Sequence, residues 1–362
     1  MRLLTLAGFV TVSGALCGVI ALGQQVAPQT AQTTDPSAVN QAAGAAVKPV
    51  PMASPGADLD PNIKKGSEQD VDAVGQRKIG ARGMRNWFST NWELGVGRQY
   101  SMEVEKTSHL VTDPVVVEYA NRVGQNLVRN SDAKVPFTIK VLDSDEINAM
   151  ALPGGYFYVD SGLILACDSE DELAGVMAHE ISHVAAHHAA REMTKLDYME
   201  IGSIPMVIFA QGSWTGYGVY ETAQLAMPLT FLEFSREYEA EADYLGIQYM
   251  YRAGYDPQGM VTIFEKLAAL EKHKPGAISK AFSDHPATPE RIAAVEREIA
   301  TILPARPEYL VTTSEFDQVK ARLERIQNKR GVLKKKGAKG PELRRVGASN
   351  NAPGAGLPGS TD

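Results

Sequence analysis

Five consecutive residues carry the clearest chemistry in this chain: His179-Glu180-Ile181-Ser182-His183. Residues four apart on an α-helix share one face, so both imidazoles can reach a single ion. Glu180, beside the first of them, can face a water held by that ion. Zinc in such a site lowers the pKa of the water and polarises a carbonyl, and the glutamate takes the proton and later delivers it. A catalytic zinc also needs a third protein ligand and one open position. His187 and His188 follow closely, but one more turn of a straight helix carries His187 too far to close a tetrahedron. Both are expected to support the site or to lie on its polar rim. Residues 235–243 are a better source. There carboxylates pair four apart, Glu237 with Glu241 and Glu239 with Asp243, and either pair offers one ligand and one group to orient a ligand histidine. Spacing does not choose between the pairs, although Ala240 and Ala242 flank the face of Glu239 and Asp243 and leave room for close helix contact.

These residues need a scaffold, and the surrounding pattern supplies one. Ser169 followed by Glu172 reads as a capping box, with Asp168, Glu170 and Asp171 favouring the positive end of a helix that continues through Leu173, Val176, Met177, Ile181 and Val184. Before it, Phe137-Thr138-Ile139-Lys140-Val141 and Tyr156-Phe157-Tyr158-Val159 read as strands, the second entered through the turn Pro153-Gly154-Gly155. Residues 93–128 carry helix-like spacing, and further helices are expected near 232–253, 257–271 and 289–302. The fold class is α+β and mainly helical, with a small β-sheet beside the histidine helix. Residues 306–327 are expected to pack against it as a strand and a helix. Residues 197–231 mix apolar side chains with a glycine-rich turn, which suits either a mobile flap or a plain packed helix pair.

Several separated segments together resemble the M48 family of zinc peptidases, which includes the prenyl-protein proteases, in its soluble bacterial branch. They are Asn148-Ala149-Met150-Ala151-Leu152-Pro153-Gly154-Gly155, the histidine helix, Glu239 to Asp243 with Gly246, His285-Pro286, and Arg291. The match covers about residues 95–302. It implies a zincin-like metalloprotease domain holding one Zn2+ per chain, with His179, His183 and Glu239 as ligands and Glu180 as general base. Asp243 would orient a ligand from behind. The resemblance brings His285 near the metal, either stabilising the oxyanion or filling the open position as a latch, with Arg291 as its partner. Residues Asn148, Ala149, Met150, Ala151, Leu152 and Pro153 match an edge strand that pairs with substrate backbone. The implied partners are protein substrates, plausibly unfolded or misassembled chains. The rival class is a chaperone-like protein that holds clients on the same fold without cutting them.

Bulk properties agree with an exported protein. Arg2 precedes an apolar run that ends at the small residues Ala21 and Gly23, so residues 1–23 read as a signal peptide, cleaved or retained as an anchor. Residues 24–70 are rich in Ala, Pro, Gln, Thr and Ser and read as a disordered linker. Residues 71–328 then form the peptidase domain, and 329–362 a basic tail, solvated or weakly drawn to anionic lipid. No later run is long and apolar enough to span a membrane, which leaves peripheral or N-terminal membrane association. The expected location is the periplasm or cell envelope. A net charge of −7 over 362 residues argues against a nucleic-acid coat. Of the two cysteines, Cys17 lies in the export segment and Cys167 in an apolar run, where it is expected to be a small buried hydrophobe.

Overall fold

The computed structural model describes residues 54–198, 234–273 and 285–338, with side chains up to residue 328. The export segment, most of the proposed flap and the end of the basic tail lie outside the described residues. The chain continues from 54 through a series of turns into helix α1 (Thr90–Thr107) and helix α2 (Pro114–Arg129). A single helical pattern expected over 93–128 is thus two helices. Pro114 cannot prolong a preceding helix, but it opens α2 behind the N-cap Asp113, whose carboxylate accepts from the N–H groups of Val115 and Val116.

Strands β1 (Thr138–Leu142), β2 (Ala149–Leu152) and β3 (Tyr156–Asp160) form a three-stranded sheet in the order β1-β3-β2. Strand β3 pairs parallel with β1 and antiparallel with β2, so β2 is an edge. The turn between β2 and β3 uses Gly154 at φ 77, a left-handed conformation that a side chain would strain. A short helix α3 (Ser161–Ala166) leads into α4 (Glu170–Ala185), which carries the histidine motif.

Every residue of α4 is buried, so it is the central rod of the domain. Its apolar positions Leu173, Val176, Met177 and Ile181 pack into the main core with Val123 and Leu127 of α2 and Phe157 of β3. The capping box is not formed. Ser169 makes no side-chain cap, and its hydroxyl binds Asp171 instead. Glu172 reaches past it to the N–H of Asp168 at 2.7 Å and to Lys266 Nζ at 2.7 Å, because a cation from a packed helix is a stronger partner than the cap N–H.

After Ala185 the helix stops, and residues 188–198 form a new helix, α5. Helices α6 (Arg236–Ala253) and α7 (Gln258–His273) pack on α4. Gly246 lets α6 approach closely: a Cβ there would stand 3.3 Å from the backbone N of His179. Helix α8 (Pro289–Ile302) and helix α9 (Ser314–Ala338) complete the element order. The strand expected before α9 is reduced to one bridge between Tyr255 and Leu310. Residues expected in the linker are tied to the domain, with the N–H groups of Asp58 and Asp60 bonded to the carbonyls of Ala300 and Thr301 in α8. Cys167 is wholly buried, and burial pushes its thiol pKa up. Among the described residues no helix is long and apolar enough to cross a membrane.

Candidate active site

The motif histidines meet in the C-terminal half of α4, their Nε2 atoms 3.1 Å apart. From α6, Glu239 faces both, with Oε2 3.5 Å from His179 Nε2 and Oε1 3.5 Å from His183 Nε2. His285, just ahead of α8, brings Nδ1 to 2.6 Å from the same Glu239 Oε1. One ligand atom from each of these four residues lies within 4.8 Å of the others. Zinc–ligand bonds of about 2.1 Å would put neighbouring donors of a tetrahedron roughly 3.4 Å apart, so the spacing of the two imidazoles and the carboxylate fits one ion. Of the two carboxylate pairs, Glu239 and Asp243 face the histidines. Glu237 is exposed on the far side, paired with Arg85.

Burial alone disfavours every charge in this cluster, and the departures from that rule are informative. Burial works against a charged His179, yet Asp243 and Glu239 outweigh it and hold the imidazole up to about 9. Burial pushes His183 well below the ordinary histidine value. Burial resists ionisation of Glu239 too, but the imidazoles of His179 and His285 hold it far below the usual carboxylate range. The pocket therefore favours positive charge against Glu239, which is the environment a divalent cation requires.

Glu180 is 4% exposed, and its Oε1 has no hydrogen-bond partner. Its Oε2 accepts from the N–H of Ala151 at 3.2 Å, and burial raises its pKa, which suits a group that must take and return a proton. This contact ties Glu180 to the edge strand. The N–H of Asp160 donates to the carbonyl of Asn148, so alternate residues Asn148, Met150 and Leu152 turn their backbone groups toward β3. Those of Ala149 and Ala151 turn to the free edge. Pro153 follows the strand and opens the turn.

Behind the candidate ligands, Asp243 Oδ1 lies 2.8 Å from His179 Nδ1. Arg291 grips that carboxylate with two parallel bonds, Nε to Oδ2 and Nη2 to Oδ1, both 2.7 Å. It also reaches Glu239 Oε2 at 3.0 Å and donates to the carbonyl of Pro286, so it secures both α6 and the segment that carries His285.

The sequence-based expectation for His187 and His188 divides. His187 is turned away: its φ is 56°, and its Nδ1 pairs with Glu93 Oε2 at 2.7 Å. It does not continue a straight helix, because α4 has already ended. His188 is fully buried against the site, its Nδ1 2.8 Å from His183 Nδ1. Sequence reasoning missed Arg191, which binds Glu241, and Phe234, stacked on the His183 ring at 4.2 Å. Glu241 was considered only as half of a rival ligand pair. No Gly or Pro marks the break after Ala185, so nothing in the sequence signalled where His188 would turn.

The family model described as Peptidase family M48 matches residues 116–299. The beta-barrel assembly-enhancing protease of Escherichia coli is 32% identical over 243 residues, covering 65% of this chain and 49% of that protein. The mitochondrial metalloendopeptidase OMA1 of Schizosaccharomyces pombe is 34% identical over 179 residues, 49% of this chain and 51% of its own length. The metalloprotease LoiP of Escherichia coli is 29% identical over 228 residues, 62% of this chain and 87% of its own. The chain thus spans about half the length of the first two relatives.

Proposed function

The chain belongs to peptidase family M48, and from that we propose that it is a zinc-dependent endopeptidase cutting protein chains in the cell envelope. The observation that carries this reading is the buried Glu180. It stands beside two histidines and a glutamate spaced for one metal, with one oxygen on the edge strand and the other without a partner. His179, His183 and Glu239 would hold the zinc, which supplies Lewis acidity toward the scissile carbonyl and the attacking water. Glu180 takes the proton of the water and passes it to the leaving amine. Ala149 and the carbonyl of Ala151 turn outward toward an extended substrate, which would lie as a further strand on β2 beside Glu180, whose Oε2 holds the Ala151 N–H. Asp243 and Arg291 keep His179 and Glu239 in place.

His285 is assigned to the oxyanion, as a donor that strengthens when negative charge develops. One observation favours a second reading. Its ligand atom falls within the same 4.8 Å set as the other three, so it also fits a fourth ligand that closes the site until substrate displaces it.

The export-like residues 1–23 support an envelope location. Similarity to a beta-barrel assembly-enhancing protease supports proteins caught during assembly as substrates. The test is incubation of the purified protein with an unfolded protein, combined with elemental analysis. About one zinc per chain, as a single three-ligand site requires, and fragments ending at internal bonds are expected. Absence of zinc, with no cleavage gained on adding it, would contradict the reading. A chaperone-like binder would return the substrate whole.

A further inference from the structure

The two ligand histidines are backed in different ways. His179 Nδ1 faces a carboxylate directly, that of Asp243. His183 Nδ1 meets another imidazole, His188 Nδ1, at 2.8 Å. Beyond it, His188 Nε2 lies 3.3 Å from Glu241 Oε2, and both oxygens of Glu241 accept from Arg191 Nη1 at 2.9 and 2.8 Å. The His188 ring is fully buried and stacked on Tyr238, with centroids 4.6 Å apart and planes at 16°.

Two ring nitrogens this close need one proton between them, and the metal side decides which ring carries it. His183 Nε2 is the atom that faces Glu239 and His179. A nitrogen that binds a metal gives up its lone pair, so the proton of a neutral His183 must sit on Nδ1. His183 Nδ1 is then the donor and His188 Nδ1 the acceptor. This leaves the proton of His188 on Nε2, which lies 3.3 Å from Glu241 Oε2 as an electrostatic contact and not an aligned hydrogen bond, the charge of Glu241 being balanced by Arg191. The metal side sets the tautomer of His183, and His183 sets that of His188.

We propose that His188 is a positioning residue, which with Glu241 and Arg191 fixes the ring and tautomer of the second zinc ligand. The break after α4 makes this geometry available. On an uninterrupted helix, His188 would point about 140° away from His183. His187 instead takes a positive φ, a conformation uncommon for any residue but glycine, and is held there by Glu93. The next helix thereby starts with His188 turned back toward His183.

This inference rests on the zinc reading, and its test separates the two, since a wild-type protein that binds no zinc would defeat that reading first. Zinc affinity is measured by competition with a chromophoric chelator in wild type, His188→Phe, His188→Asn and Glu241→Gln. The visible spectrum of the cobalt-loaded proteins reports ligand geometry, and thermal melting of the metal-free proteins reports packing. Phenylalanine keeps the stacking on Tyr238 but has no acceptor. Asparagine carries its amide oxygen where the imidazole carries Nδ1. His188→Phe is expected to bind zinc 10- to 100-fold more weakly with an altered cobalt spectrum, and His188→Asn to recover most of the loss. Glu241→Gln should lose less, in the same direction. Wild-type affinity in His188→Phe, or equal loss in the Phe and Asn variants, would overturn the proposal. Should His188→Phe fail to fold, unchanged affinity and spectrum in Glu241→Gln would overturn it as well.

Discussion

At His285 one contact supports two opposite effects. Its Nδ1 is 2.6 Å from the proposed ligand Glu239, close enough to stabilise developing charge and close enough to complete the proposed ligand set. As an oxyanion donor, His285→Ala should lower turnover of an unfolded substrate by on the order of a hundredfold at saturating zinc. A rise would identify a latch, and unchanged turnover would remove the residue from the site. The two motif histidines were readable as sharing one face from their four-residue spacing, whereas the same spacing left Glu237 with Glu241 and Glu239 with Asp243 both open, and only the resemblance favoured the second pair. Gly246, matched by resemblance, packs where α6 touches α4. His188 was not legible in the same way. At five residues from His183 it leaves the shared face of a straight helix, and only the left-handed conformation of His187 returns it. A backbone break without Gly or Pro leaves no mark in residue type.

Helix α4 was readable from its apolar spacing, and β1 and β3 from theirs, each within a residue of its observed bounds. The capping box failed because tertiary partners, Lys266 above all, outbid the local ones. Where β3 passes into α3, Asp160 is buried, and burial pushes its carboxyl pKa up to about 7, against a hydrogen bond from Ser144 that pulls the other way. Glu146 adds like charge. A folded-state value raised above the ordinary one means that the stabilisation is fully present below about pH 4 and is lost as pH rises through about 7. Asparagine keeps an acceptor for Ser144 and cannot ionise. Asp160→Asn should therefore melt above wild type at pH 8, with the difference shrinking toward pH 5. Thermal melts across that range check it, and a pH-independent difference would show that Asp160 does not ionise in this window.

Over the whole molecule, the candidate metal links three parts that are far apart in sequence: α4, α6 and the segment before α8. Zinc binding should therefore stabilise the fold by mass action, by about 2.7 kcal/mol at a free concentration one hundred times Kd. A chelator should lower the melting temperature, and readdition of zinc should restore it. No change on chelation would place the metal elsewhere. The most direct test of zinc-dependent peptide hydrolysis compares wild type with Glu180→Gln on one unfolded protein, reading fragments by mass spectrometry at equal, measured zinc content. Wild type should cut internal peptide bonds, whereas Glu180→Gln should hold the same zinc and cut none, since in the proposed mechanism Glu180 moves the proton and does not bind the metal. The same fragments at the same rate from Glu180→Gln would contradict this mechanism.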